Sequence, residues 1–121
     1  MTDAVAVLVV EDEAIILWDI IDRLETDGFK TYRANNADAA LALLDKHLDI
    51  GLLFIDINIP GSMNGLTLAA AASERWPQVN IIVTSGKHLA KDVSIPDGAM
   101  FFDKPYDHAK FSRAMREMLR L

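Results

Sequence analysis

One short segment in the middle of the chain constrains the fold more than any other. Residues 52–55 are four consecutive apolar residues that lead directly into Asp56, and Pro60 and Gly61 follow closely. A short apolar run bounded by turn residues is typical of a strand that is buried on both faces, as in a parallel sheet. Asp56 would then lie at the carboxyl edge of the sheet, where open α/β folds bind their ligands.

The rest of the chain alternates between strand-like and helix-like segments. Strands are predicted at residues 5–10, 29–33, 80–84 and 99–102, and a central one begins at residue 52 and ends at Asp56 or Ile57. Helices are predicted at residues 13–27, 37–48, 65–76, 87–92 and from 107 toward the C-terminus. This alternation predicts an α/β domain with a parallel sheet, right-handed crossovers and helices on both faces. The strand at 29–33 alternates apolar and polar residues, which is typical of a half-exposed edge strand.

The helix ends carry their own signals. Gly28 is expected to end the first helix, because glycine readily adopts the backbone conformation found there. Asn35 or Asn36 can cap the second helix, and Asp107 can cap the last one. The apolar face of the second helix, which packs against the core, is expected to continue along the chain to Leu48.

Length and composition narrow the class of protein. At 121 residues, the chain is expected to form one domain over residues 1–121. The net charge of −6 argues against non-specific binding to nucleic acid or to an anionic membrane. The sequence has no cysteine, and no apolar run approaches the roughly 18 residues of a membrane span. With no recognisable targeting segment, we expect a cytoplasmic protein.

Acidic residues also follow the first predicted strand. Glu11 and Asp12 come directly after residues 5–10, and the carboxyl ends of parallel strands meet at one edge of a sheet. Three carboxylates that converge with Asp56 repel one another unless a hard cation binds between them, and Mg²⁺ prefers such oxygen ligands. We expect Asp12, Asp56 and a backbone carbonyl near Asn58 to bind Mg²⁺ directly, with Glu11 acting through a water molecule.

A hydroxyl and an ammonium group follow two further strands. Thr84 ends the fourth predicted strand and Lys104 follows the fifth. A carboxylate beside Mg²⁺, with these donors near it, suits phosphoryl transfer onto Asp56, because each equatorial oxygen of the transferring group needs a donor or a cation. The predicted partners of those oxygens are Mg²⁺, Lys104, and the Thr84 hydroxyl together with a backbone N–H near Asn58.

These residues, in this order, resemble the receiver domains of two-component response regulators over essentially the whole chain. The resemblance implies a flavodoxin-like doubly wound (βα)5 three-layer sandwich with strand order 2-1-3-4-5. It also implies that Asp56 is the phosphoacceptor, Thr84 the switch hydroxyl, and Lys104, followed by Pro105, the family's lysine. Phe101 stands at the position of the family's switch aromatic residue.

The resemblance further implies partners and an output surface. The phosphoryl donor would be a sensor histidine kinase or a phosphotransfer protein, and the chain would catalyse only its own phosphorylation and dephosphorylation. In the family, phosphorylation remodels the face formed by the fourth helix, the fifth strand and the fifth helix, which is also a face for homodimers. No segment reads as a DNA-binding element or a membrane anchor, so we expect output through protein contacts.

The sequence departs from the common family pattern at several positions. Glu11 stands where Asp is common, and Gly65 follows Asp56 by nine positions, one more than the commoner spacing. Asn58 and Gly86 occupy positions that tune dephosphorylation in the family, which leaves the phosphoryl lifetime open. The segment before the last strand is short and contains Pro96, which leaves the fourth helix open.

Three other interpretations compete with a stand-alone switch. An Mg²⁺-dependent phosphatase of the haloacid-dehalogenase type uses similar residues, but its nucleophile lies on the first strand and a second Asp normally follows two positions later. This chain has its acidic pair first and Asn58 in that later place. An interaction module that is never phosphorylated is disfavoured by the intact site residues. A receiver fragment of a larger regulator or hybrid kinase stays open.

Overall fold

The computed structural model describes residues 5–59, 63–85, 95–103 and 107–119. Within these ranges the chain forms five strands and four helices. The strands are β1 (Ala6–Val10), β2 (Lys30–Ala34), β3 (Ile50–Asp56), β4 (Asn80–Ser85) and β5 (Met100–Asp103). The helices are α1 (Ala14–Thr26), α2 (Ala37–Lys46), α3 (Gly65–Arg75) and α4 (His108–Leu119).

The strands form one parallel sheet in the order β2-β1-β3-β4-β5. This confirms the predicted doubly wound topology and the edge position of β2. The predicted helix over residues 87–92 lies outside the described residues, so the last predicted helix is α4 here. No helix in the described ranges is both long enough and apolar enough to cross a membrane.

The sheet is covered on both faces, which confirms three layers. Every residue of β1 is buried, and successive side chains alternate between two apolar cores. One core contains Leu8 of β1 together with buried residues of α2 and α3. The other contains Val7 and Val9 with buried residues of α1 and α4. The apolar run that continues through β3 is therefore explained by burial on both sides.

The helix caps follow the local sequence signals. Asn36, rather than Asn35, caps α2, where its side chain accepts a hydrogen bond from the Ala39 N–H at 2.8 Å. Asp107 Oδ1 accepts one from the Ala109 N–H, also at 2.8 Å, at the start of α4. After α1, Gly28 has a φ of +93°, which an L side chain rarely adopts, so glycine suits the position.

One sequence prediction about side-chain placement is wrong. Leu48 is 87% exposed, because α2 ends at Lys46 and the chain is extended at the next residue, so the helical stripe does not continue. Two histidines are each partly buried, His47 and His108. His47 stacks on the Tyr32 ring with centroids 4.2 Å apart, and His108 Nε2 lies 3.7 Å from Asp19.

Candidate functional site

All the buried polar side chains of the described residues lie at one edge of the sheet. They follow or end β1, β3 and β4, and they are Glu11, Asp56, Thr84 and Ser85. Burial of a polar group is costly unless it is partnered, so such a concentration marks a site rather than a packing solution. The edge is the carboxyl edge, where a ligand is expected in an open α/β sheet.

Two adjacent strands deliver the carboxylates. Val10 pairs in register with Ile55, so Glu11 and Asp56 leave the sheet next to each other. Asp12 joins them, and one ligand oxygen from each of the three carboxylates lies within 4.8 Å of the others. Glu11 is fully buried and Asp56 is 3% exposed, whereas Asp12 is exposed to solvent. The predicted convergence of these three residues is confirmed.

The donor set fits a hard divalent cation. Three carboxylate groups provide oxygen ligands, which Mg²⁺ prefers, and the exposed Asp12 leaves a side from which water can complete the coordination. Like charges at this separation repel, and a cation bound between the three groups would reduce that repulsion. One carboxylate oxygen of Glu11 also accepts a hydrogen bond from the Glu13 N–H at 3.3 Å.

Strand β4 places a hydroxyl beside the phosphoacceptor candidate. Thr84 pairs in register with Asp56, and the Ile57 N–H donates to the Thr84 carbonyl at 2.9 Å. The Thr84 hydroxyl is fully buried and has no hydrogen-bond partner within the described chain. A buried hydroxyl left in this state costs about 1–3 kcal/mol. This cost is consistent with a hydroxyl that is reserved for a ligand.

The loop after β3 folds back onto the same carboxylate. The Asn58 backbone N–H donates to Asp56 Oδ1 at 3.0 Å. The Asn58 side-chain amide donates to the Ser85 hydroxyl at 3.4 Å, which links the exposed Asn58 to the buried end of β4. Asn58 therefore contacts the site through its backbone and reaches β4 through its side chain.

The first residue of α3 packs directly behind Asp56. A Cβ atom at Gly65 would contact the Asp56 carbonyl oxygen and lie 2.6 Å from Ile57 Cα and 2.8 Å from Ile55 Cγ2. The Gly65 N–H donates to the Ile57 carbonyl at 3.0 Å. Only glycine leaves room for this approach, so Gly65 sets how closely α3 lies against the end of β3.

Two further residues were predicted for the site, Phe101 and Lys104. Phe101 lies on β5 in register with Val83, is partly buried and packs against the core. Lys104 lies outside the described residues. The sequence did not single out the close approach of Gly65 or the contact of Ser85 with Asn58. The available sequence signals were Gly65, which follows the Asn64 cap of α3, and the two polar residues that end β4.

Comparison with known proteins agrees with this arrangement. Residues 7–116 match the family described as response regulator receiver domain. The transcriptional regulatory protein CpxR of Escherichia coli K12 is 28% identical over 116 residues, which cover 94% of this chain and 49% of CpxR. The chain thus spans about half the length of the curated relatives it matches.

Solved structures give the same result at the level of the fold. A CheY-like response regulator receiver domain protein from Methanospirillum hungatei JF-1 superposes with a TM-score of 0.87 at 25% identity, covering 98% of this chain and 95% of that one. A response regulator receiver protein from Sinorhizobium medicae WSM419 has a TM-score of 0.87 at 27% identity, with coverage of 98% and 96%. The chain belongs to the response regulator receiver domain family of two-component signalling.

Proposed function

We propose that this chain is a phosphoacceptor switch in which Asp56 accepts a phosphoryl group. The donor would be a phosphohistidine of a sensor histidine kinase or of a phosphotransfer protein. Glu11, Asp12, Asp56 and the backbone carbonyl of Asn58 would hold Mg²⁺. The observation that carries the proposal is the buried, unpartnered hydroxyl of Thr84 in register with Asp56, beside three converging carboxylates.

The chemistry requires little beyond positioning and electrostatics. A carboxylate oxygen of Asp56 forms a bond to phosphorus, while the bond from phosphorus to the donor's imidazole nitrogen breaks and that nitrogen keeps the electron pair. When bound, Mg²⁺ supplies positive charge for the phosphoryl oxygens. The Thr84 hydroxyl and the Asn58 N–H are the described donors for those oxygens, and Lys104 is proposed as a further one.

The buried site explains why the acceptor carboxylate needs preorganised partners. Asp56 is almost fully buried, so few water molecules can solvate the charge that develops on the phosphoryl group. Each fixed donor therefore contributes more than it would in water, and none has to reorganise during transfer. The Asn58 N–H, which already contacts Asp56 Oδ1, is placed for this role.

Phosphorylation would change the structure outside the site through residues of β4 and β5. Thr84 is in register with Phe102, and its neighbour Val83 is in register with Phe101. Movement of the Thr84 hydroxyl toward a phosphoryl group would release space that the partly buried Phe101 ring can occupy. The face around β5 and α4 would change as a result, and a partner protein or a second copy of the chain would bind it.

The location of the chain and the way it passes on the signal are also proposals. CpxR and the relative from Picosynechococcus are named as transcriptional regulatory proteins, and each is about twice as long as the match. Whether this chain acts alone or within a longer regulator or hybrid kinase stays a prediction, as do its cytoplasmic location and its output by protein contact rather than direct DNA binding.

Phosphorylation of the purified protein tests the proposal. Wild type would be incubated with Mg²⁺ and a small acyl phosphate, and separately with beryllofluoride, and analysed by intact mass and by NMR. We expect a phosphoryl adduct, and chemical-shift changes at Thr84 and Phe101 with either reagent. Asp56→Asn should abolish both. Asp22→Asn, at an exposed acid on α1, is the matched control and should leave both unchanged.

Two results would contradict the switch. Wild type that takes up no phosphoryl group and shows no shift with beryllofluoride would favour an unphosphorylated interaction module. An adduct that survives Asp56→Asn would place the acceptor elsewhere. A phosphatase turns over its substrate rapidly, so rapid multiple turnover of the acyl phosphate with no accumulated adduct would favour the phosphatase interpretation.

A further inference from the structure

The bond between Asn64 and Gly65 joins the loop after β3 to the first residue of α3. Of the five asparagines in the sequence, Asn64 is the only one that glycine follows. Asparagine is chemically labile in proteins, and a glycine after it has no Cβ to block the approach of its own backbone nitrogen. That nitrogen can attack the carbonyl carbon of the asparagine side chain and displace ammonia. The sequence at this junction therefore suits deamidation.

The folded chain holds both reacting groups in hydrogen bonds. Asn64 Oδ1 accepts a hydrogen bond from the Thr67 N–H at 2.9 Å and so caps α3. The Gly65 N–H donates to the Ile57 carbonyl at 3.0 Å. Ring closure requires the Gly65 nitrogen to lose its proton and the Asn64 side chain to turn toward that nitrogen. Both hydrogen bonds therefore have to break first.

Opening of the first turn of α3 would break both bonds without unfolding the domain. The bonds lie at the end of a helix, where a chain opens locally at a lower free energy than in the core. Gly65 is buried, which keeps its nitrogen covered until the turn opens. Asn64 is exposed, so water reaches the product of ring closure.

A second capping asparagine provides a comparison within the same chain. Asn36 Oδ1 accepts a hydrogen bond from the Ala39 N–H at 2.8 Å at the start of α2, so it caps its helix as Asn64 does. Ala37 follows Asn36, and its Cβ hinders attack by the backbone nitrogen. The difference between the two asparagines therefore reports what the glycine contributes.

We infer that Asn64 is a site of spontaneous deamidation whose rate is set by opening of the first turn of α3. The Gly65 nitrogen loses its proton to water and forms a bond to Asn64 Cγ. The bond from Cγ to Nδ2 breaks, and the amide nitrogen leaves as ammonia with a proton from water. Water then opens the five-membered imide at one of its two carbonyl carbons. Opening at Cγ gives aspartate, and opening at the backbone carbonyl carbon gives isoaspartate.

The two products should differ in their effect on the site. Aspartate keeps an oxygen at the cap and adds negative charge at a helix N-terminus, which is favourable. Isoaspartate routes the backbone through the former side chain, which adds one carbon to the link before Gly65. Gly65 lies so close behind Asp56 that no Cβ fits, so a longer link would displace it. Resting on the proposed function, the isoaspartate form should be phosphorylated about 10- to 100-fold more slowly.

The first test measures the chemistry alone. Wild type would be kept in mildly alkaline buffer, folded and in concentrated urea, and digested at intervals. Mass spectrometry follows the conversion of amide to acid at each asparagine, and isoaspartyl methyltransferase labels isoaspartate. Asn64 should react about 10- to 100-fold more slowly in the folded protein than in urea, because each of the two hydrogen bonds changes the open population by about fivefold. Asn36 should react far more slowly than Asn64 in urea.

Hydrogen exchange measures the opening independently. The Gly65 amide exchanges with solvent only when its bond to the Ile57 carbonyl is broken, so its protection, followed by NMR, reports the same opening. The protection factor should match the ratio of the deamidation rates in urea and in the folded protein. A strongly protected Gly65 amide, together with deamidation as fast as in urea, would overturn control by opening.

The second test measures the effect on phosphorylation. Asn64→Ser keeps a capping oxygen and removes the reactive amide, and Asn64→Asp stands for the aspartate product. Both variants, freshly prepared, should be phosphorylated by an acyl phosphate and Mg²⁺ at the wild-type rate. On storage, wild type should lose phosphorylation in proportion to its isoaspartate content, whereas Asn64→Ser should keep it.

The outcomes separate this inference from the proposed function. Absence of deamidation at Asn64 in urea overturns the site itself. Normal phosphorylation of a sample rich in isoaspartate, or an equal loss on storage in Asn64→Ser, overturns the effect on Asp56. Fresh wild type that takes no phosphoryl group contradicts the proposed function, and the mass measurement still decides whether Asn64 deamidates.

Discussion

Replacing Gly65 with alanine should damage phosphorylation more than its effect on stability would suggest. A Cβ at this position would lie 2.6 Å from Ile57 Cα and would also contact the Asp56 carbonyl oxygen. Ordinary carbon contacts are about 3.5–4.0 Å, so α3 and the end of β3 would have to separate by roughly 1 Å. Both neighbouring atoms belong to the backbone, so no rotation of a side chain can relieve the contact.

The expected effect of Gly65→Ala on the free energy of unfolding is smaller than its effect on the rate of phosphorylation. Overpacking costs about 1–3 kcal/mol, and alanine recovers up to about 1 kcal/mol of helix propensity, so the free energy of unfolding should fall by about 1–2 kcal/mol. A displacement of roughly 1 Å at a reacting group can reduce a rate by about 100-fold. We therefore expect Gly65→Ala to fold, to melt several degrees lower, and to be phosphorylated about 10- to 100-fold more slowly.

The assay compares urea unfolding with the initial rate of phosphorylation by an acyl phosphate at saturating Mg²⁺. Gly51→Ala is the control, because it lies at the other end of β3, where the new Cβ would meet Val5 Cγ1 at 2.9 Å and Leu119 Cδ2 at 3.6 Å. Those atoms can move, so the control should keep the wild-type rate. A Gly65→Ala protein that is less stable yet phosphorylated at the wild-type rate would refute the positioning argument.

Three further changes test the site and its surroundings. Asp12→Ala should abolish the Mg²⁺-dependent rise in melting temperature and phosphorylation together, and should stabilise the protein in chelator because one of three repelling carboxylates is removed; retained Mg²⁺ stabilisation would exclude Asp12 from the site. Thr84→Val should raise the free energy of unfolding in urea by about 1 kcal/mol, since it removes a buried unpartnered hydroxyl, while the shift of Phe101 with beryllofluoride should be lost; a less stable variant would show that the hydroxyl is partnered. Burial alone would raise the pKa of Asp49, but hydrogen bonds from Lys30 and Tyr32 lower that pKa below its ordinary 3.8. Hydrogen bonds to Tyr32 and Asp49 raise the pKa of Lys30 above its ordinary 10.5. The stabilisation from Asp49 should thus be complete above about pH 4 and disappear as the pH falls through the lowered pKa, so Asp49→Asn should flatten the acid side of the stability profile measured by urea midpoints, and an unchanged profile would contradict the assignment.

The sequence was sufficient where one local rule decides the outcome. The apolar run into Asp56 predicted a buried central strand, and the order of apolar runs predicted a parallel sheet whose carboxyl edge collects Glu11 and Asp12. Caps such as Asn36 depend on a side chain and a backbone N–H three residues away, so they too can be predicted from local sequence.

Prediction failed where the outcome depends on where an element stops or how closely two elements approach. Leu48 fits the apolar stripe of α2, but the helix ends two residues earlier, so its side chain faces solvent. The space at Gly65 depends on the distance between α3 and β3, and no local pattern contains that distance. The hydrogen bond of Ser85 to Asn58 joins residues 27 positions apart in the chain, so only the folded sheet brings them together.

The conflict between stability and function is concentrated at one edge of this sheet. Both cores are otherwise apolar in the described residues, yet Glu11 and Asp56 bury carboxylates side by side, and Thr84 buries an unpartnered hydroxyl. Apolar residues at these positions would continue the two cores and remove the repulsion, so folding alone does not account for the polar ones. A ligand that brings positive charge beside the carboxylates and acceptor oxygens to the Thr84 hydroxyl would suit this group of residues. Mg²⁺ with a phosphoryl group on Asp56 has both properties, whereas a metal ion alone would leave the Thr84 hydroxyl unpaired.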